Sequence, residues 1–340
     1  FRTDQFGLSL DAILGHHILS LNSFLIQPLI IKISVALTIV YTIIGLINGI
    51  FSLITFMNKT VCKVGCGLYL VSISIATILI AILLPLKFFI LLLTHMTIIK
   101  DELFVRIQCY TLDFFIRVCL CWEQWLAACV ACERVVITIQ GAKFIQQKSK
   151  KAARKVIFSL VLIIILSFLH DVFSRDLIYE DDEINHEIER IWCVVRYQSR
   201  IETYNYIVQT FHFIGPFLLN LTCSIILIIK KCQQKSTAAH TNRPFILILQ
   251  EQIIENKHLL IAPVVLVLLG IPRMILIYTS KCMKSADDVW LYLIGYFISM
   301  IPSMLTFLIF VLPSKFYKKQ FDQTVARYRR MIQKRLLLRS

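Results

Sequence analysis

Glu123 is an acid in the middle of an apolar run, Ile107–Ile139. An isolated carboxylate kept ionised among hydrocarbon costs on the order of several kcal/mol, so it must bind a cation, find a donor or take up a proton. Thr77 and Ser303, on two other apolar runs, are the candidate donors, and a protonated Glu123 bonded to one of them is the plainer alternative. A second group, Lys87, Asp113, Arg117, His212 and Arg273, falls toward one end of the apolar runs. Asp113 and Arg117 are four apart on one helix face, a spacing that predicts an internal ion pair. The third feature is Glu133-Arg134-Val135, with Arg134 twenty-five positions after Cys109. Twenty-five helical residues rise about 37 Å, so a helix that has Cys109 at one membrane face presents Arg134 at the other.

These residues need long apolar helices to position them, and the composition provides them. The chain has 340 residues, 57% hydrophobic and 17% charged, with a mean hydropathy of +0.73. That balance excludes a water-soluble domain. Seven apolar stretches, Leu29–Met57, Gly67–Leu93, Ile107–Ile139, Val156–Phe173, Tyr204–Ile229, Leu259–Tyr278 and Val289–Leu312, are mostly too long for ordinary core helices. They predict an all-α membrane protein, with an amino-terminal segment over 1–28, a seven-span bundle over 29–312 and a basic tail over 313–340. Residues 1–28 have no basic flank leading into an apolar run, so no signal peptide is read there, and the opening Phe1 reads as a fragment or a processed chain.

Charge placement orients the bundle. Twenty-three of the 36 Lys and Arg lie in the first, third and fifth links and the tail, against ten in the amino-terminal segment and the remaining links. By the positive-inside rule the amino terminus is extracellular and the tail cytoplasmic. The net charge of +15 then reads as topology and contact with anionic lipid, not as nucleic-acid binding. Of eleven cysteines, only Cys109, Cys193 and Cys282 reach the oxidising side. A bridge from Cys109 to Cys193 would pin the long link that carries Ile191-Trp192-Cys193 across the bundle mouth, leaving Cys282 free or paired outside the chain. Cys62 and Cys66 lack further ligands at metal-site spacing, so no metal or cofactor is expected. The run Glu180-Asp181-Asp182-Glu183, with Glu187 and Glu189, is either a solvated loop or a lure for a cationic peptide. Lys315–Phe321 fits a short amphipathic helix lying on the inner leaflet.

Seven spans, an outside amino terminus and the Cys109 to Arg134 spacing together resemble the rhodopsin-like G-protein-coupled receptors over about residues 30–325. Glu133-Arg134-Val135 is similar to that family's Asp-Arg-Tyr triplet, Gly45-Leu46-Ile47-Asn48 to its Gly-Asn site, and Phe213-Ile214-Gly215-Pro216 to its Phe-x-x-Pro. Gly270-Ile271-Pro272 keeps the sixth-span proline but has Gly where the toggle Trp belongs. Phe310 falls where the Tyr of Asn-Pro-x-x-Tyr belongs, with Thr306-Phe307 in place of Asn-Pro and Pro302 a turn earlier. Thr77 stands where the family has its sodium-binding Asp, so Glu123 becomes a relocated ion or proton site. The pattern looks like a divergent, invertebrate-type peptide-receptor branch.

The resemblance implies specific roles. Glu133 and Arg134 would form the G-protein switch, with Glu251 and Glu255 flanking Gln252 as its sixth-span partners and Phe310 beside it. Pro216, Pro272 and Pro302 would bend their helices. Lys87, Asp113, Arg117, His212 and Arg273 would line the ligand pocket, with Lys87 and Arg273 as a cationic floor suited to a carboxylate. Ile116 stands where amine receptors have an aspartate, which argues against a monoamine. The expected function is a plasma-membrane receptor that binds an extracellular ligand, a peptide by preference, and activates a heterotrimeric G protein. The rivals are a transporter or a non-signalling seven-helix protein; neither repeated halves nor paired broken helices support a transporter. Enzyme motifs such as H-E-x-x-H and G-x-S-x-G are missing from the sequence.

Overall fold

The computed structural model describes residues 10–19, 24–99, 101–181, 188–239, 250–251, 264, 267–272, 274–275, 278, 288–312 and 314–337. Among these residues five helices are long and apolar enough to cross a membrane. They are the first span Leu29–Phe56, the second Gly65–His95, the third Glu102–Gln140, the fourth Gln146–Phe173 and the fifth Ser199–Ala239. Residues 267–272 are a helical piece of the sixth. The seventh runs Asp288–Met304, breaks at Leu305 and resumes as Thr306–Phe310.

Most helices overrun the apolar stretches that announce them, because the intrahelical hydrogen-bond ladder continues into polar residues beyond the hydrocarbon. The third begins at Asp101, whose carboxylate caps it by accepting from the backbone N–H of Leu103 at 3.0 Å and Phe104 at 3.4 Å. It ends at Gly141, whose φ of 50° lies in the left-handed region that glycine tolerates. The break in the seventh follows Pro302, which cannot donate to the ladder; Leu305 N–H turns back to the Pro302 carbonyl at 3.1 Å. Pro216 sits inside the fifth helix, and Pro85, which the sequence reading passed over, inside the second.

The first span shows how the bundle packs. Ser34, Thr38, Gly45, Gly49 and Ser52 face inward and are buried, whereas Ile39, Val40, Ile43, Ile44 and Ile47 are exposed. Small residues let backbones approach and the larger apolar side chains meet lipid. Thr38 donates back to the Ser34 carbonyl at 2.8 Å, so its buried hydroxyl is satisfied within the helix.

Two features cover one end of the bundle. Strands β1 (Arg175–Asp181) and β2 (Ile188–Val195) pair antiparallel between the fourth and fifth spans. Sequence alternation had not suggested this hairpin. A short helix, Leu10–Leu14, packs beside it. At the opposite, tail end lies Lys315–Leu337, an amphipathic helix of 23 residues rather than the short one expected from Lys315–Phe321. It is seated by Phe321 against Phe307 and Phe51, and by Asn58 Nδ2 donating to Gln320 Oε1 at 2.8 Å.

Candidate functional site

At the hairpin end six charged side chains from five elements form one connected network. Lys87 Nζ lies 2.6 Å from Asp11 Oδ2 and 3.3 Å from Asp113 Oδ2. Arg175, the first residue of β1, reaches Asp113 at 2.7 Å with Nη1 and Asp171 at 3.0 Å with Nη2. Arg117 Nη1 meets the other oxygen of Asp171 at 3.4 Å, and the Tyr197 hydroxyl donates to that same oxygen. Among the described residues of this network three acids oppose three bases, a balance that favours keeping such groups out of water. Burial works against the Arg175 charge, but Asp113 and Asp171 outweigh it and hold its pKa above that of an ordinary arginine. Two carboxylates share the Lys87 ammonium, and burial sets the Asp11 carboxyl above its ordinary range against the pull of Lys87.

This arrangement corrects two sequence expectations. The Asp113–Arg117 pair is not the one formed: tertiary partners outcompete the four-residue spacing, drawing Asp113 to Lys87 and Arg175, and Arg117 to Asp171. Lys87 is not an open cationic floor, since its side chain is fully buried between two acids. The sequence reading missed Asp11, Asp171 and Arg175. A signal for Asp171 existed, because it is an acid inside an apolar stretch and such residues require partners.

The network is held in place covalently. Cys109 of the third span and Cys193 of β2 are bridged, with their Cα atoms 5.7 Å apart, and Arg175 Nη1 donates to the Cys109 carbonyl at 3.2 Å. His212 lies elsewhere, wedged among the third, fourth and fifth spans. Trp125 Nε1 donates to its Nδ1 at 2.9 Å, and Ser167 Oγ lies 2.9 Å from its Nε2. Arg273, Glu255 and Cys282 lie outside the described residues, as does the tip of the acidic run, 182–187.

Midway along the bundle, Glu123 Oε1 accepts from Thr306 Oγ1 at 2.9 Å and from Thr77 Oγ1 at 3.2 Å. Ser303, proposed as a donor alongside Thr77, lines the same cavity, but Thr306 was not foreseen. Glu123 Oε2 is buried with no hydrogen-bond partner among the described residues. The cavity has about 70 Å³ open to the centres of water-sized molecules, and Pro216, Pro302 and Phe310 also line it. Room of this size exceeds what one water needs. Gly270, in the position of the missing tryptophan, is the seat of the Phe213 ring; any side chain at Gly270 would collide with it.

At the tail end Arg134 is half-buried and flanked by Tyr317, from the start of the last helix, and by Cys66. Burial pushes the Tyr317 hydroxyl well above its ordinary range, so it stays neutral. The expected partnership of Arg134 with Glu251 is corrected: Glu251 reaches Lys235, at 3.3 Å on the surface, because the fifth-span extension brings that lysine alongside. Glu133 accepts a hydrogen bond from Ser149 Oγ, and the same Oγ accepts from the Gly65 N–H at 2.9 Å. Phe310 packs against the apolar cluster around Tyr317. Among the described residues no group of three or more His, Cys, Asp or Glu side chains could hold a metal ion.

The description of the seven-transmembrane receptors of the rhodopsin family matches this chain over residues 47–329. No curated protein matches it.

Proposed function

The chain belongs to the rhodopsin family of seven-transmembrane receptors, an all-α multi-pass membrane bundle, and on that premise we propose that it is a peptide receptor coupled to a heterotrimeric G protein. The amino terminus and hairpin face outward and the tail inward, in keeping with the excess of Lys and Arg in the tail and its neighbouring links. The acidic run in 180–189 favours a peptide with basic residues by screened attraction, and the cation Lys87 favours a carboxylate on that same peptide. Gly270, Thr77 and Thr306-Phe307 in place of the usual motif residues are the grounds for a divergent branch of invertebrate peptide-receptor type.

The observation that supports coupling best is the setting of Arg134. Among the described residues the guanidinium at the tail-end crevice rests against a neutral hydroxyl and a thiol and no carboxylate, contacts that oppose its release to a partner with little electrostatic energy. The ligand must bind the state with Arg134 released more tightly than the state described, or it shifts nothing. Glu123, joined to both the second and seventh spans through Thr77 and Thr306, acts between the two ends as an ion or proton site.

The test is a library of synthetic neuropeptides applied to transfected cells, with calcium and cyclic-nucleotide readouts. A responding peptide should lose its signal on Arg134→Ala while surface expression stays near wild type. Equal signalling by mutant and wild type would remove Arg134 from the switch and with it this reading of the tail end.

A further inference from the structure

Residues 10–18 are inserted into the hairpin end of the bundle. Leu10, Leu14 and Ile18 recur every fourth residue and are 4%, 0% and 1% exposed, packed in one cluster with Phe88 and Leu91 of the second span and Leu293 of the seventh. Gly15 is clamped so closely that a Cβ there would run into the Trp192 and His95 rings. The His16 ring lies 4.6 Å from that of Trp192, whose neighbour Cys193 is bridged to the third span. Asp11 completes the contact at 2.6 Å from a lysine with no exposed surface. The only other acid within ion-pair distance of Lys87 among the described residues, Asp113, is 3.3 Å away and is closer to Arg175 at 2.7 Å.

Leu10 and Leu14, one turn apart on the short helix, and Ile18, beyond the tighter turn at Gly15–His17, set apolar anchors beside one acidic anchor, as a bound peptide does in a groove. Here both peptide and groove belong to one chain. We propose that the hairpin end is a binding site for an amphipathic peptide that carries one anchoring carboxylate, that residues 10–18 occupy it in cis with Asp11 anchored on Lys87, and that any ligand using this mouth competes with that segment. The site deepens the receptor reading, but it stands on the packing of residues 10–18 and not on coupling. A carboxylate-bearing ligand gains Lys87 only by displacing Asp11, and the segment's high effective concentration sets a threshold that a free ligand must exceed.

The test uses the full chain in lipid nanodiscs and a fluorescent synthetic peptide of residues 10–19, read by anisotropy, so no G-protein signal enters. The variant Asp11→Lys with Leu14→Glu expels the chain's own segment, while Lys87 keeps Asp113 as a partner at 3.3 Å. It should bind the peptide saturably, with the unaltered chain at least about tenfold weaker because its site is filled in cis. A peptide carrying Asp11→Lys should bind about thirtyfold or more weakly, as expected when one member of a buried charge pair is removed. Equal binding to both chains, or no discrimination between the peptides, would overturn the site. Should the expelled variant not yield folded protein, thiol labelling of Leu14→Cys in the otherwise unaltered chain decides. The reference is Leu25→Cys, at a position 82% exposed, with the unsubstituted chain as background. Docking predicts labelling at least about tenfold slower at position 14, and equal rates would refute it.

Discussion

At the hairpin end Lys87, Arg117 and Arg175 each face an aspartate within 3.4 Å, whereas at the tail end Arg134 rests against Tyr317 and Cys66 while its neighbour Glu133 bonds Ser149. The first arrangement holds its members by mutual charge and by a disulfide, so that loss of any one leaves the network with an unbalanced buried charge. The second holds its cation by neutral contacts that are cheap to exchange. One end is therefore built to stay, and the other to be re-paired.

Removing Arg175 should have the largest effect. Arg175→Ala removes the closest cation of Asp113 and of Asp171, leaves them Lys87 at 3.3 Å and Arg117 at 3.4 Å, and leaves the network one negative charge in excess; breaking a buried ion pair from one side costs about 3–5 kcal/mol. Thermal unfolding in detergent should drop by many degrees, or the variant should fail to reach the surface. A drop no greater than that of an exposed lysine substitution would break the contrast between the two ends. Glu123→Gln comes next. It keeps the hydrogen bonds from Thr77 and Thr306 but deletes the charge, and stability should change little. Basal activity and its dependence on sodium and pH should flatten; if all three remain as in the wild type, Glu123 is structural. Tyr317→Phe is the smallest change. It removes one hydroxyl from Arg134, about 1 kcal/mol, and should raise basal signalling a fewfold with unfolding temperature unaltered. A matching loss of stability with no gain in basal signal would mean that the tail end is also built to hold.

The contrast was only half legible in the sequence. The long helices followed from run lengths alone, since hydrocarbon thickness dictates them, and Arg134 followed from its distance along one helix from Cys109. The hairpin-end network did not. Asp11 and Lys87 are 76 residues apart, and no local pattern connects them. Arg175 looked like one more loop cation because its role depends on a strand beginning just after the fourth span. Asp113 and Arg117 were misread because helix spacing gives a preference of only about 0.2–0.5 kcal/mol, which buried tertiary partners override. The proline break in the seventh span was visible in Pro302, but its effect, bringing Thr306 to Glu123, was not.

The bridge between Cys109 and Cys193 also has a topological side. It closes a ring of chain with a sequence separation of 84 that contains the whole fourth span, the least enclosed of the described spans, with 17% of its apolar window buried. A helix with so little of its surface enclosed is retained partly because both its ends belong to a closed ring of chain. In the chain-entropy view, such a ring stabilises the assembled bundle by about 4–5 kcal/mol. Its order of manufacture follows as well: residue 193 emerges only after four spans have been made, so the ring is sealed around a helix already in the bilayer. Expression in a reducing compartment would leave that ring open and the helix held by its packing alone.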